Sequence, residues 1–175
     1  MTTQWRIESL TPERVLGLSA CHIACWREAY RGLVPDHVLD AMDIERGARR
    51  WERIRAQYPE NIHVAMHGDE VVGFIAAGPA TGAGAVTPFE LYALYVRSAW
   101  YGTGLAHELL AAAVPPDIPC SLWVFADNSR ARAFYGKYGF VPDGASRPEP
   151  FSPVIEIRMV RGTLGGNRFG ERSRT

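Results

Sequence analysis

The stretch VRSAWYGTGLAHELL, residues 96–110, restricts the fold of this chain more than any other. It follows the most strand-like run in the sequence, FELYALYV, and leads into a helix-forming run through a turn in which two glycines flank a threonine. A strand–glycine turn–helix unit puts bare backbone N–H groups at a helix N-terminus, where a phosphate group is readily held. A Walker-type phosphate loop is excluded, because no glycine–lysine–serine/threonine ending is present. A dinucleotide fold asks for a third glycine where His107 stands and an acid about twenty residues further on, a place Asp127 could fill. A tight turn that needs glycines only for steric reasons is the third reading. The turn by itself leaves the last two open.

The surrounding pattern is that of a mixed sheet with helices on both faces. TQWRIESL alternates apolar and polar residues over part of its length and predicts a first strand. Thr11, Pro12 and Glu13 supply a capping hydroxyl, a first-turn proline and a first-turn acid for a helix that carries Val15, Ser19, His22, Trp26 and Tyr30 along one face and ends at Gly32. Pro35 opens a short helical stretch through Met42. Asp43 caps a third helix whose buried stripe is expected at Ile44, Trp51, Ile54 and Tyr58. Strands at about 62–66 and 71–77 are joined at Gly68-Asp69 as a hairpin. After a small-residue loop, ATGAGAVTP, come the strong strand, the glycine turn, a helix broken by Pro115-Pro116, and the strand CSLWVFA. Residues 128–138 read as helix with Gly139 as its stop, followed by two weaker strands near Phe140 and at PVIEIRM. One strand–helix–strand crossover among hairpins gives a mixed, not a fully parallel, sheet.

Composition narrows the function classes. A chain of 175 residues is expected to form one domain. Nineteen basic and nineteen acidic residues cancel, so there is no general basic field for nucleic acid or an anionic membrane. No apolar run approaches the roughly 20 residues of a membrane span, and MTTQWRIESL lacks the basic start and apolar core of a secretory signal, which makes the cytoplasm the expected location. The three cysteines, Cys21, Cys25 and Cys120, have no framework spacing and fit a reducing compartment. Cys21, His22 and Cys25 lack the second paired cluster of a zinc site, so no metal is expected and the thiols read as core. Residues 162–175, glycine- and arginine-rich with few apolar side chains, are expected to form a disordered tail.

One strand after the glycine helix, NSRARAFYGKYGF carries Asn128, Ala131, Tyr135, Gly139 and Phe140 at the spacing Asn-x-x-Ala-x-x-x-Tyr-x-x-x-Gly-Phe. Together with the turn at Tyr101, Gly102, Thr103, Gly104, Leu105 and Ala106, this resembles the GNAT superfamily of acyl-CoA-dependent N-acetyltransferases. CWREAYRGLVPDHVL also looks like the first helical region of many bacterial members. The resemblance spans 5–161, and with it one domain over 1–161. It implies an α/β (α+β) GNAT fold with a mixed, mostly antiparallel six- to seven-stranded sheet and helices on both faces. Tyr101 departs from the arginine or glutamine usual at its position, and Ser98 stands where proline is common.

The resemblance also implies the chemistry: an acetyl group moves from acetyl-CoA to a primary amine by direct attack in a ternary complex. Backbone donors at 102–106 are expected to hold the cofactor's pyrophosphate, with Tyr101 beside them. The strand end at Leu94, Tyr95 and Val96 pairs with the pantetheine arm like an added strand, and Asn128 holds the arm or caps its own helix. Tyr135 is the expected acid for the leaving thiolate; without the motif it reads as a core tyrosine. Glu90, on the strongest strand, is the candidate base. Trp26, Tyr30 and Trp123 are candidates for the acceptor pocket, with core packing the plainer use of Trp26. Tyr30, Arg31, Asp36 and Asp40 are expected to border that pocket, the two acids hinting at a cationic substrate. The acceptor is a small-molecule or peptide amine, not nucleic acid. Homodimers are frequent among relatives. The alternative is a GNAT fold that senses acyl-CoA, or serves as an interaction module, without turnover.

Overall fold

The computed structural model describes residues 5–162; apart from Gly162, the expected tail lies outside the described residues. The elements run β1 (Arg6–Ser9), α1 (Val15–Tyr30), α2 (Asp36–Asp40), α3 (Ile44–Gln57), β2 (Ile62–His67), β3 (Glu70–Pro79), β4 (Phe89–Val96), α4 (Leu105–Ala113), β5 (Cys120–Phe125), α5 (Ser129–Gly136), β6 (Val141–Pro148) and β7 (Ile155–Arg161). They build one seven-stranded sheet in the order β1-β2-β3-β4-β5-β7-β6. Every neighbouring pair is antiparallel except β4 and β5. The expected sheet of mixed direction is therefore present, with seven strands.

Helices cover both faces because both faces are apolar. On one side Leu105, Leu109 and Leu110 of α4 pack with Tyr135, Phe140, Leu122 and Leu91. Each fully buried leucine is worth about 2 kcal/mol. On the other side α1 and α3 deliver Val15, Leu18, Ala48 and Trp51 onto Val64 and Phe74. A third cluster, Trp26, Tyr30, Val34, Leu39 and Phe125, closes the α1–α2 end of that same face.

Two local expectations are corrected. Ile44 and Tyr58 are exposed, and Ala48 and Trp51 are the residues α3 buries. By spacing both fall on the face that Ala48 and Trp51 present, but Ile44 is the first residue of α3 and Tyr58 the one after its last, so they stand at the helix ends where that face reaches solvent. Thr11 makes no side-chain cap bond; the chain enters α1 through a 3-10 turn at Pro12–Arg14 closed by Arg14 N–H to Thr11 O (3.0 Å). Asp43 does cap α3, accepting from Arg46 N–H at 2.7 Å.

One irregularity positions everything that follows. Between Ala76 and Ala77 the β3–β4 register shifts, so that Leu91 and Ala93 have partners and Tyr92 has none. A bulge of this kind bends a strand and reverses its facing. Leu91 and Val96, an odd number of residues apart, consequently pack in the same cluster beside α4. Tyr95 faces the α1 side instead, against Trp26 and Tyr30.

Candidate active site

The parallel pairing of β4 with β5 covers only Phe89–Cys120, Glu90–Ser121 and Leu91–Leu122. Beyond it β4 continues to Val96 and β5 to Phe125, but the two no longer pair, and the sheet opens into a cleft of about 790 Å³. Past Leu91, the β4 edge facing β5 has no strand partner among the described residues, which leaves its backbone polar groups open to an extended ligand. Leu94, Tyr95 and Val96 lie on this edge and line the cleft.

At one end of the cleft stands the glycine turn. Gly102 and Gly104 have φ of 74° and 92°, the left-handed region that residues with a Cβ avoid. Gly104 is the N-cap of α4, and the first intrahelical bond is Glu108 N–H to Gly104 O at 3.1 Å. The N–H groups of Ala106 and His107 precede that bond and are available to an anion, while Leu105 N–H meets Thr103 Oγ1 only at 3.4 Å. Tyr101, Gly102, Gly104, Leu105 and Ala106 line the cleft; Thr103 does not, its hydroxyl turning back to Trp100 O at 2.6 Å. Ideal Cβ atoms at Gly102 and Gly104 would meet no protein atom within 4 Å. The space beside them is open, as a pyrophosphate approaching the backbone requires. These donors and this room fit a coenzyme A moiety.

Tyr135 lies across the cleft on α5, 8% exposed, its ring edge-on to Phe134 and Phe140. No hydrogen bond among the described residues engages its hydroxyl. Burial pushes its pKa well up, and the neighbouring Tyr30 adds to the shift. Tyr30 and Tyr95 are raised in the same way, burial being the main cause, and their hydroxyls meet at 3.4 Å. Three protonated phenols therefore gather where β4 and β5 part. Asn128 caps α5, its Oδ1 accepting from Ala131 N–H at 3.2 Å, and also lines the cleft.

The wall of the cleft towards α1 is aromatic. Trp26, Tyr30 and Trp123, the sequence candidates for an acceptor pocket, line it, joined by Phe125, whose ring lies 4.6 Å from that of Tyr30 and 6.0 Å from that of Trp26. Glu90 is not among the lining residues. It sits in the paired part of β4, opposite Gly78 and Ser121; burial raises its pKa while Arg147 and Arg158 oppose the rise. Arg31, Asp36 and Asp40 do not border the cleft either. Arg31 pairs with both acids, at 3.2 and 3.4 Å, all three exposed, which accounts for the charge that hinted at a cationic substrate. Cys21, Cys25 and Cys120 are buried free thiols.

Sequence reasoning missed several cleft residues, Arg130 and Glu156 among them. Arg130, within the Asn128–Tyr135 motif, lies over the Tyr101 ring. Glu156 alternates with Ile155 and Ile157 in β7, a visible pattern, but its neighbours come from remote segments.

Splayed parallel strands, a glycine turn at a helix N-terminus and a buried tyrosine between them form the site, and the comparisons with known proteins support an acyltransferase of the GNAT superfamily. Residues 59–142 match the acetyltransferase (GNAT) domain family. A "Probable N-acetyltransferase" of Mycobacterium tuberculosis is 26% identical over 175 residues, covering 92% of this chain and 97% of the relative. The PaiA N-acetyltransferase of Thermoplasma acidophilum, solved in complex with coenzyme A, shares the fold at a TM-score of 0.69 and 19% identity, over 91% of this chain and 99% of that one. The ribosomal-protein-alanine N-acetyltransferase of Brucella melitensis does so at 0.65 and 21%, over 89% and 98%. Among the described residues no helix is long and apolar enough to cross a membrane.

Proposed function

We propose that this protein transfers the acetyl group of acetyl-CoA to a primary amine by direct attack in a ternary complex. The observation that carries the reading is the opening between β4 and β5, which joins the glycine turn, Tyr135 and the aromatic acceptor side in one cleft. Acetyl-CoA, when bound, supplies a thioester whose carbonyl carbon an amine can attack and whose sulfur can leave. The N–H groups of the turn at 102–106 and the α4 dipole hold its phosphates, with Asn128 beside the arm. The free edge of β4 at Leu94, Tyr95 and Val96 holds the pantetheine extended.

Tyr135 keeps its proton because it is buried, and its hydroxyl has no competing partner among the described residues, so it can donate to the departing sulfur. Trp26, Tyr30 and Trp123 exclude water from the amine and orient it. A carboxylate on their side of the sheet takes the amine's proton; Glu90, the candidate from sequence, would reach the cleft only through water. Three buried free thiols fit a reducing, cytoplasmic setting.

The test is thiol release from acetyl-CoA across a panel of primary amines. Amine-dependent release with formation of the N-acetyl product is expected. Acetyl-CoA binding without release for any amine would leave only a sensor.

A further inference from the structure

The carboxylate best placed on the acceptor side is Glu156. In β7 it stands directly opposite Phe125, the last residue of β5, and opposite Arg147 of β6. Cross-strand partners share a sheet face, so Glu156 lies on the face where Phe125 meets Tyr30 and Trp26. It lines the cleft, with a side chain only 13% exposed. Oε2 accepts from Arg147 Nε at 2.9 Å, and Arg147 is itself fixed over the Trp123 ring at 4.0 Å. No hydrogen bond among the described residues reaches Oε1. A carboxylate withdrawn from water with one oxygen unengaged is costly until a donor arrives. Adjacent aromatic faces favour that donor being a cation.

The other acids nearby are committed. Glu28, which also lines the cleft, is taken by Arg97 at 2.9 Å and by Ser98 N–H at 2.8 Å. Asp36 and Asp40 belong to Arg31, and Glu90 lies outside the lining. Among the described residues the cleft thus offers one open carboxylate oxygen beside an aromatic wall. That suits a single ammonium carried on an apolar group, not a polycation.

We infer that Glu156 is the acceptor-side carboxylate of this enzyme: Oε1 holds the ammonium of an alkyl- or arylalkylamine against Trp26, Tyr30 and Phe125 and takes one of its protons. This rests on the acetyl-transfer reading. Proton removal frees the nitrogen lone pair; the C–N bond forms and the C–S bond breaks. The second nitrogen proton reaches sulfur by way of Tyr135, so that amide and thiol leave and Glu156 returns its proton to solvent. The groups facing Glu156 are Arg147 from β6, Glu149 beyond it, Tyr30 from α1 and Tyr95 from β4. Burial raises its carboxyl pKa and Glu149 adds to this, against Arg147, which suits a group that must take and release a proton.

The experiment is calorimetric titration of phenethylammonium into protein saturated with coenzyme A, with 2-phenylethanol as the neutral comparison. Wild type should bind the ammonium, and Glu156→Gln should bind it about tenfold or more weakly, as expected for a lost charge-assisted hydrogen bond. Phenylethanol binding should not differ between the two. Glu156→Asp should recover part of the affinity, and coenzyme A binding by both variants reports an intact fold. In turnover, Glu156→Gln should lose the ascending limb of the kcat/KM pH profile for the amine. Failure of wild type to bind phenethylammonium, or equal binding and an unchanged profile in Glu156→Gln, overturns the inference and leaves acetyl transfer standing. Glu156-dependent ammonium binding with no thiol release for any amine upholds the cation site and overturns the transfer reading.

Discussion

The Arg130 guanidinium lies over the Tyr101 ring, 3.4 Å from its centroid. Tyr101 occupies the position where an arginine or glutamine is usual in the superfamily, so on the proposed reading the turn lacks that side chain's help with the pyrophosphate. Arg130, reaching from α5 across the cleft mouth, puts a cation back beside the same turn. The tyrosine serves as its platform. Arg130→Ala should therefore raise KM for acetyl-CoA about tenfold, the worth of one charge-assisted contact. The difference should shrink as salt is added. Tyr101→Phe keeps the ring face and should stay within about twofold of wild type. Steady-state kinetics at low and high ionic strength check both.

Gly104 separates backbone strain from ligand exclusion. At φ 92° an alanine is strained by about 1–2 kcal/mol, yet its Cβ would meet no protein atom within 4 Å. Gly104→Ala should lower Tm by only a few degrees, about 2–4 °C per kcal/mol for a domain of this size. Its effect on acetyl-CoA should be larger, about tenfold or more in Kd, because the methyl group occupies the phosphate's approach. Thermal unfolding and acetyl-CoA titration on the same sample measure the two. A Kd unchanged beside a lowered Tm would remove the turn from the binding site.

Tyr135→Phe tests the acid. The hydroxyl has no hydrogen bond to other described residues, so its removal leaves the packing against Phe134 and Phe140 in place. Tm should be unchanged and both KM values close to wild type. The kcat should fall about 100-fold or more, the usual scale of a lost general acid. Single-turnover acetyl transfer checks it, and retained kcat would return Tyr135 to plain core packing.

What could be read from the chain was what its local backbone decides. The glycine turn, the Asn128–Phe140 spacing and the Asp43 cap are short-range features whose conformational demands are written in adjacent residues. The bulge at Tyr92 is different: nothing in FELYALYV marks the register shift against Ala76 and Ala77, and that shift sends Tyr95 to the face of Trp26 and Tyr30. Glu156 was likewise hidden, because its neighbours Phe125, Arg147 and Tyr30 come from three separate segments. Charge without partners misled at Asp36 and Asp40, whose carboxylates face Arg31 instead of the cleft. Glu90 was chosen for the strength of its strand, but the pairing that makes the strand strong also holds it in the closed part of the sheet.

His22 makes the fold sensitive to acid. Its ring is enclosed by Trp26, Trp51, Phe74 and Tyr95 at centroid distances of 5.4 to 5.8 Å. Trp51 Nε1 donates to its Nδ1 at 3.3 Å, which requires that nitrogen to be unprotonated. Burial, helped by Arg50, lowers its pKa to about 4. Above the unfolded value near 6.5 both states hold a neutral ring and nothing is lost. Below it the unfolded chain takes up a proton that the native state refuses, so stability falls until about pH 4, by up to about 3 kcal/mol. Glu90 and Glu156, whose carboxyls are shifted up, act in the opposite sense over the carboxylate range, so a variant must serve as the reference. Urea unfolding at pH 7.5 and 4.5 should show wild type losing about 2–3 kcal/mol more than His22→Phe, which keeps a ring in the cluster and has no proton to gain. Equal losses in the two proteins would assign the acid lability to other groups.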